Sequence, residues 1–135
     1  VTNTGGSTVS GSGFKTTGSN LVCEPNVTVQ NILSKSSDAI IKNASGKTIT
    51  SGNIGTGYTV KIGGTTYTVV KKGDVNGDGK STSSDYVKIK NYIMGSNSLS
   101  NVAKSGADVN SDGKVNSSDY VKVKNYIMGK GNINI

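Results

Sequence analysis

The sequence reads DVNGDGKSTSSDYVKIKNYIMG over residues 74–95 and DVNSDGKVNSSDYVKVKNYIMG over residues 108–129. The two copies start at residues 74 and 108, which are 34 positions apart, and they differ at four places only. Near-identity at a fixed offset indicates a duplicated structural unit that packs against its own copy. The remainder of the chain is therefore interpreted around this pair of repeats.

Each repeat opens with oxygen-bearing side chains at alternate positions. In the first repeat these are Asp74, Asn76 and Asp78, followed by Gly79 and then by the carboxylate of Asp85. Alternate positions place their oxygens on one concave side, and the glycine permits the sharp turn of a calcium loop. A backbone carbonyl and a polar side chain or bridging water complete such a shell. The sequence therefore predicts two Ca²⁺ sites with these ligand residues: Asp74, Asn76, Asp78, Lys80, Thr82 and Asp85; Asp108, Asn110, Asp112, Lys114, Asn116 and Asp119.

The preference for calcium rests on the chemistry of these ligands. Oxygen donors without His or Cys disfavour zinc and copper, and the size of the loop favours calcium over magnesium. The last carboxylate is Asp85 or Asp119 where the longer Glu is usual, so we expect either that each loop draws in slightly for a bidentate contact or that the coordination number drops. Because an ion bound only by the folded chain stabilises it, we expect the repeats to be unfolded or molten without calcium.

A helix is predicted to follow each loop, over residues 83–94 and 117–128. At about 100° per residue, apolar side chains gather on one side of each helix. We predict that these residues form the core: Tyr86, Ile89, Tyr92, Ile93, Tyr120, Val123, Tyr126 and Ile127. A different face is identical in the two repeats although loop positions differ, which favours a binding surface over a plain solvated one. This repeated helix face consists of Ser83, Ser84, Val87, Lys90, Asn91 and Met94, with Ser117, Ser118, Val121, Lys124, Asn125 and Met128.

Two predicted parts precede the repeats. Residues 1–20 are rich in Gly, Ser and Thr and are predicted to be a flexible linker. Residues 21–72 carry strand patterns and are predicted to be a small β-rich module. Its clearest feature is a hairpin over residues 58–70, and a weaker hairpin is predicted over residues 39–50.

Local signals add detail to this module. Thr28 is predicted to cap a short helix, because a threonine at that place accepts unpaired backbone N–H groups. A strand runs directly into Asp74, which leaves no room for a helix before the first loop. Cys23, the only cysteine, is predicted to be a buried, inert thiol.

The composition excludes several classes of function. All 15 positive charges are Lys, none is Arg, and they are scattered from Lys15 to Lys130, so the net charge of +7 indicates a solvated surface rather than a nucleic-acid partner. The chain has no His, and only Glu24 and Asp38 are acids outside the repeats. No plausible catalytic set remains, and an enzyme is not expected. No apolar run suggests membrane insertion.

The duplicated D-V-N-x-D-G-K-x-x-S-S-D-Y-V-K-x-K-N-Y-I-M-G units resemble type I dockerin domains, the modules that attach secreted clostridial enzymes to cohesin-bearing scaffold proteins. The resemblance covers about residues 73–130. It implies two calcium loop–helix units, called F-hands, related by a pseudo-two-fold axis and joined by a short helix, which residues 99–104 fit. It also implies contact with a cohesin through Ser83, Ser84, Lys90, Asn91, Ser117, Ser118, Lys124 and Asn125, all members of the repeated helix face.

The expected fold class is α+β: a small β-rich module at residues 21–72 and an all-α dockerin domain of two F-hand repeats at residues 73–135. The expected function is that of a calcium-dependent adaptor, which docks a larger secreted protein, such as a polysaccharide- or cell-wall-active enzyme, onto a cohesin module of a scaffold. We expect the chain to be a non-catalytic fragment of that protein, secreted or at the surface of a Gram-positive anaerobe.

Alternative functions belong to other classes. A calcium-stabilised structural module of a cell-surface protein, without a cohesin partner, stays open. An intracellular calcium sensor is disfavoured, because a sensor needs a helix on each side of its loop and a strand enters Asp74 instead.

Overall fold

The computed structural model describes residues 9–135, which form seven strands and four helices. The strands are β1 (Ser10–Gly11), β2 (Phe14–Thr17), β3 (Asn20–Cys23), β4 (Ile40–Lys42), β5 (Thr48–Ile49), β6 (Thr59–Ile62) and β7 (Thr65–Lys71). The helices are α1 (Val29–Lys35), α2 (Ser83–Ile93), α3 (Asn101–Ala107) and α4 (Ser117–Ile127).

All seven strands belong to one mixed sheet, in the order β1-β2-β3-β7-β6-β4-β5. Neighbouring strands are antiparallel except β3 and β7, which run parallel with Leu21 beside Val69 and Cys23 beside Lys71. Successive side chains point to opposite faces of a sheet, so alternate residues reach the same core. The core between the sheet and α1 includes Phe14, Leu21, Ile32, Ile41, Ile54, Val60, Tyr67 and Val69.

Both predicted hairpins are present. β6 and β7 pair across Gly63 and Gly64, whose φ angles are 56° and 86°. A tight two-residue turn of this kind requires positive φ at both central residues, which glycine adopts without steric cost. The weaker hairpin joins β4 to β5, with Ile41 beside Ile49.

Helix α1 begins after Thr28, as predicted. The backbone of Thr28 is extended, and its N–H donates a 2.7 Å hydrogen bond to the side chain of Asn31. Val29 and Ile32 are fully buried against the sheet. The helix therefore has a defined start, and its one apolar side holds it against the face of the sheet that carries the core.

The predicted flexible linker is wrong in the part that the structure describes. Residues 1–8 of that linker lie outside the described residues. From residue 9 onward, β1 and β2 extend the sheet at its edge, and Phe14 lies beside Cys23. Val9 and Phe14 are both buried, and the Val9 N–H donates to the hydroxyl of Thr16 at 2.9 Å. Two apolar side chains and a threonine suited to strands thus override a composition typical of flexible chains.

The predicted fold class is also wrong. Instead of a small β-rich module followed by an all-α domain, the structure combines a seven-stranded mixed sheet, whose strands span residues 10–71, with four helices. One helix, α1, lies within the strand-forming part. The parallel pairing of β3 with β7 joins residue 21 to residue 69, and a crossover of that length leaves no local signal in the sequence.

Helices α2 and α4 pack against each other around a second core. Ile89 and Val123 are fully buried at its centre, as predicted. Ile93 and Ile127 were also predicted to be core residues, but they are 40% and 37% exposed. A helix that packs along one side only buries a narrow stripe, so the predicted core side was too wide.

The resemblance implied a short helix between the repeats, and residues 99–104 were expected to form it. The structure has a short helix in this connection, but it is α3, whose bounds differ from 99–104. Ser100 precedes it, and its hydroxyl accepts from the Ala103 N–H at 3.2 Å. The carbonyl of Gly106 accepts from the Gly73 N–H at 2.8 Å, so the end of α3 lies against the end of β7.

The C-terminal residues return to the loop between β3 and α1. Ile133 is buried in the second core. The Ile135 N–H donates to Glu24 at 3.1 Å, and the Tyr126 hydroxyl donates to the side chain of Asn26 at 2.9 Å. The repeats therefore contact the loop after β3 through α4 and the tail, and they contact the sheet at the end of β7.

Candidate calcium loops and docking surface

The first loop brings three carboxylates together. Asp74, Asp78 and Asp85 each offer one oxygen, and these oxygens lie within 4.8 Å of one another. Calcium binds oxygen at about 2.3–2.6 Å, so a single ion can contact three oxygens at this separation. A donor set of carboxylates fits a hard divalent cation.

The second loop also brings three carboxylates together. These are Asp108, Asp112 and Asp119, whose oxygens also lie within 4.8 Å of one another. Among residues 9–135, no other cluster of three or more His, Cys, Asp or Glu side chains has this spacing. The clustered acids are thus the six whose spacing predicted two ions.

The last carboxylate of each loop ties the loop to its own beginning. Asp85 Oδ1 accepts from the N–H groups of Val75 and Asn76 at 2.7 and 3.0 Å, and Oδ2 accepts from the Thr82 N–H at 2.9 Å. Both loops therefore close through an Asp in place of the usual Glu. In the second loop the carboxylate of Asp119 accepts from Val109, Asn110 and Asn116.

The intermediate positions shape the turn. Asn76 Oδ1 accepts from the Asp78 N–H at 3.1 Å, and Asp78 Oδ1 accepts from the Lys80 N–H at 2.9 Å. Side chains that accept from the backbone two residues later stabilise such turns. The same bonds occur in the second loop, among Asn110, Asp112 and Lys114.

Two predicted ligands also begin the helices. Thr82 and Asn116 are the N-cap residues of α2 and α4. The side chain of Asn116 accepts from the Ser118 N–H at 3.0 Å, which satisfies one of the unpaired donors at the helix start. These positions therefore join each loop directly to its helix.

Burial raises the pKa of three loop carboxyls. Desolvation raises the pKa of Asp74 from 3.8 to about 6, although backbone donors at Thr56, Gly79 and Gly77 oppose the shift. Desolvation raises the pKa of Asp85 and of Asp119 as well. Negative charge is costly at these positions without a compensating cation.

Lys71, a residue that the sequence analysis did not single out, is fully buried beside the first loop. Its ammonium donates to the carbonyls of Val27 at 2.8 Å and of Gly79 at 2.9 Å. Burial lowers the pKa of this ammonium. The sequence did carry a signal that Lys71 is buried. Tyr67, Val69 and Lys71 are alternate residues of β7, so their side chains point to the same face of the sheet.

Lys72 contacts the second repeat in a similar way. Its ammonium donates to the carbonyls of Asp108 at 2.8 Å and of Ser105 at 3.0 Å, and burial lowers its pKa. Two consecutive lysines at the end of the sheet thus hold the backbone of both repeats.

The repeated helix face is open to solvent on both helices. Val87 and Val121 are 45% and 47% exposed, and Met94 and Met128 are 66% and 52% exposed. Large exposed apolar side chains among polar ones are typical of a protein-binding surface. Of the other members, Asn91 and Asn125 are half-buried, and these are exposed: Ser83, Ser84, Lys90, Ser117, Ser118 and Lys124.

Cys23 lies fully buried at the end of β3. Burial raises the pKa of its thiol to about 12, so the reactive thiolate is scarce near neutral pH. This agrees with the inert role that was predicted.

The chain thus has two loop–helix units that share one core, and each loop clusters three carboxylates that could hold a metal ion. Residues 72–128 match the family model of the dockerin type I domain, which confirms the resemblance. A dockerin domain is a non-catalytic module that docks on cohesin modules in a calcium-dependent manner. Proteins that carry one are typically secreted or at the cell surface.

Among curated proteins, none matches the chain. Over residues 9–135, every helix is too short or too polar to cross a membrane.

Proposed function

We propose that this chain is a calcium-dependent adaptor. Its dockerin domain binds one Ca²⁺ in each loop, through the twelve ligand residues given above, and docks through the repeated helix face on a cohesin module of a scaffold protein. The rest of the protein to which it belongs is the cargo: a secreted polysaccharide- or cell-wall-active enzyme of a Gram-positive anaerobe.

The observation that carries this proposal is the exposure of the same surface on both helices. Val87, Met94, Val121 and Met128 are large apolar residues, and each is close to half exposed or more. Such side chains are normally buried in a monomer, and contact with a partner would remove them from water. The clustered carboxylates at the start of each helix would then bind the ions that fix the orientation of this surface.

The test is calorimetric titration of the chain with candidate cohesins, in calcium and in chelator. We expect binding in calcium and none in chelator. A double variant, Met94→Glu with Met128→Glu, should abolish cohesin binding while calcium binding persists. The matched control is Lys88→Glu with Lys122→Glu, which changes exposed residues of the same helices outside the repeated helix face.

A second candidate function is a calcium-stabilised structural module without a cohesin partner. It is favoured by the hydrogen bond of the Thr56 N–H to Asp74, because that contact links the first loop to the sheet of the same chain. Calcium-dependent stability without binding to any cohesin of a matched panel would support this candidate instead.

A further inference from the structure

The two loops differ in burial although their sequences are nearly identical. Asp74 is fully buried, whereas its counterpart Asp108 is half-buried. Gly79 is buried and its counterpart Gly113 is exposed. The difference in burial therefore arises because another part of the chain covers the first loop and leaves the second loop open.

The cover is the segment just before β6. The N–H of Thr56 donates to Asp74 Oδ2 at 2.9 Å, and the same oxygen accepts from the Gly79 N–H at 2.9 Å. The Thr56 hydroxyl accepts from the Lys71 N–H at 3.0 Å and donates to the Lys71 carbonyl at 3.1 Å. Thr56 thus connects the first carboxylate of the loop to the last residue of β7.

Backbone meets backbone at this contact. A Cβ at Gly55 would lie 2.5 Å from the carbonyl oxygen of Gly77 and 3.0 Å from the nitrogen of Gly79. Real side chains do not approach so closely, so the contact requires a glycine at this position. The segment before β6 and the first loop therefore fit together only without a side chain between them.

Lys71 adds a charge to the same contact. Its ammonium joins the Val27 carbonyl, in the strand-forming part of the chain, to the Gly79 carbonyl in the loop. A buried ammonium beside clustered carboxylates offsets part of their mutual repulsion when no other cation is present. The second loop also has a buried ammonium beside it, because Lys72 donates to the Asp108 carbonyl at 2.8 Å. Within residues 9–135, however, the carboxylate of Asp108 accepts only from its own loop, at Asp112 and Gly113.

We propose that Gly55, Thr56 and Lys71 are positioning residues that hold the first loop in its folded shape before an ion binds, whereas the second loop is ordered by its ion. All three lie outside residues 72–128, the part that matches the dockerin type I domain. A preformed loop loses less conformational freedom on binding, so the first loop takes up calcium before the second. The inference rests on the proposed function for the assignment of one ion to each loop.

Amide hydrogen exchange of the 135-residue chain in chelator tests the first part. The N–H groups of Gly79 and Gly113 are a matched pair, because each donates to the first carboxylate of its own loop. We expect the Gly79 amide to exchange slower than that of Gly113 by about tenfold or more. Equal rates would overturn the inference.

Variants test whether the contacts of Gly55 and Lys71 cause the slower exchange of the Gly79 amide. Gly55→Ala and Lys71→Met should remove the extra protection of Gly79 and leave Gly113 unchanged. The control for the first is Gly131→Ala, where a Cβ would meet its nearest neighbour at an ordinary 3.7 Å. The control for the second is Lys61→Met, an exposed lysine of the same sheet. Protection that survives both test variants would contradict the role assigned to these residues.

Calcium titration tests the order of binding without altering the contact. Asp112→Ala disables the second loop and Asp78→Ala disables the first. The chain with an intact first loop should bind calcium with the lower Kd, and a reversed or equal order would contradict the inference. If neither variant nor the unaltered chain binds calcium, the proposed function fails, while the exchange of Gly79 in chelator still decides whether the sheet holds the loop.

Discussion

The rings of Tyr86 in α2 and Tyr120 in α4 stack with centroids 5.0 Å apart and planes 22° apart. The two tyrosines occupy the same position of the two repeats. Contact between equivalent residues is the mark of a two-fold relation, so this pair lies where the pseudo-symmetry of α2 and α4 is centred. The repeats therefore stabilise each other through identical parts.

The tyrosine pair should show a measurable coupling energy. In a double-mutant cycle of Tyr86→Leu and Tyr120→Leu, we expect a coupling of about 0.5–1.5 kcal/mol in the free energy of unfolding, measured by urea denaturation in calcium. Tyr86→Leu combined with Tyr58→Leu is the control, because Tyr58 packs against the other core and should give additive losses. Additive losses in the Tyr86 and Tyr120 cycle would contradict the prediction.

Removal of calcium should destabilise the chain. An ion at 100 times its Kd contributes about 2.7 kcal/mol, so two ions supply a large share of the stability of a small protein. We expect thermal melting followed by circular dichroism to shift down in chelator, and Asp112→Ala to reduce the shift. Melting curves that coincide with and without calcium would rule out the two ion sites.

The calcium-free chain should lose stability as the pH rises from about 4 to about 6. In the folded state the pKa of Asp74 is about 6 against an ordinary 3.8, so the folded chain binds more protons than the unfolded chain in this window. Asp85 and Asp119 have raised pKa values and act in the same direction.

The measurement is the melting temperature against pH in calcium-stripped buffer. Asp74→Asn should flatten the dependence, and saturating calcium should reverse it, because the ion binds the ionised carboxylates. A melting temperature that rises from pH 4 to pH 6 without calcium would show that burial does not dominate at Asp74.

The two halves of the repeated helix face should be able to replace each other. Because the halves are identical, we expect that a cohesin docks in either of two orientations rotated by about 180°. Ser83→Glu with Ser84→Glu should leave cohesin binding almost intact in calorimetric titration. Only the further change of Ser117 and Ser118 to Glu should abolish it. Loss from the first pair alone would remove the claim of two orientations, though not that of an adaptor.

Lys72 should contribute to stability through its contacts with the second repeat. Lys72→Met removes the ammonium that donates to the carbonyls of Ser105 and Asp108, and we expect a loss of about 2 kcal/mol in the free energy of unfolding. Lys88→Met, at an exposed position of α2, is the control and should change stability by less than about 0.5 kcal/mol. Equal effects of the two substitutions would show that the buried ammonium contributes nothing.

Much of the repeat region could be predicted because its information is local. Asp74, Asp78 and Asp85 lie within one loop, so their spacing alone places their oxygens together. The face that carries Val87 and Met94 follows from the period of one helix. The exposure of Ile93 could not be predicted in the same way, because it depends on how many partners pack around α2.

The strand-forming part was harder to predict. The glycine turn at Gly63 and Gly64 signalled one hairpin, but residues 9–20 were predicted to be flexible from their composition. They pair because Phe14 reaches the core and Cys23 lies opposite it in β3. Whether an edge segment joins a sheet depends on what its few apolar residues can reach, and composition does not record that.

By itself, the sequence determined the two loops, the helices that follow them and the repeated face of those helices. Each depends on residues within one or two turns of each other, where spacing sets geometry. Only the tertiary structure decided that one sheet extends from Ser10 to Lys71 and that the segment before β6 covers the first loop but not the second. That asymmetry rests on contacts such as Thr56 with Asp74, between residues far apart in the chain, and packing at such distances leaves no repeating pattern to read.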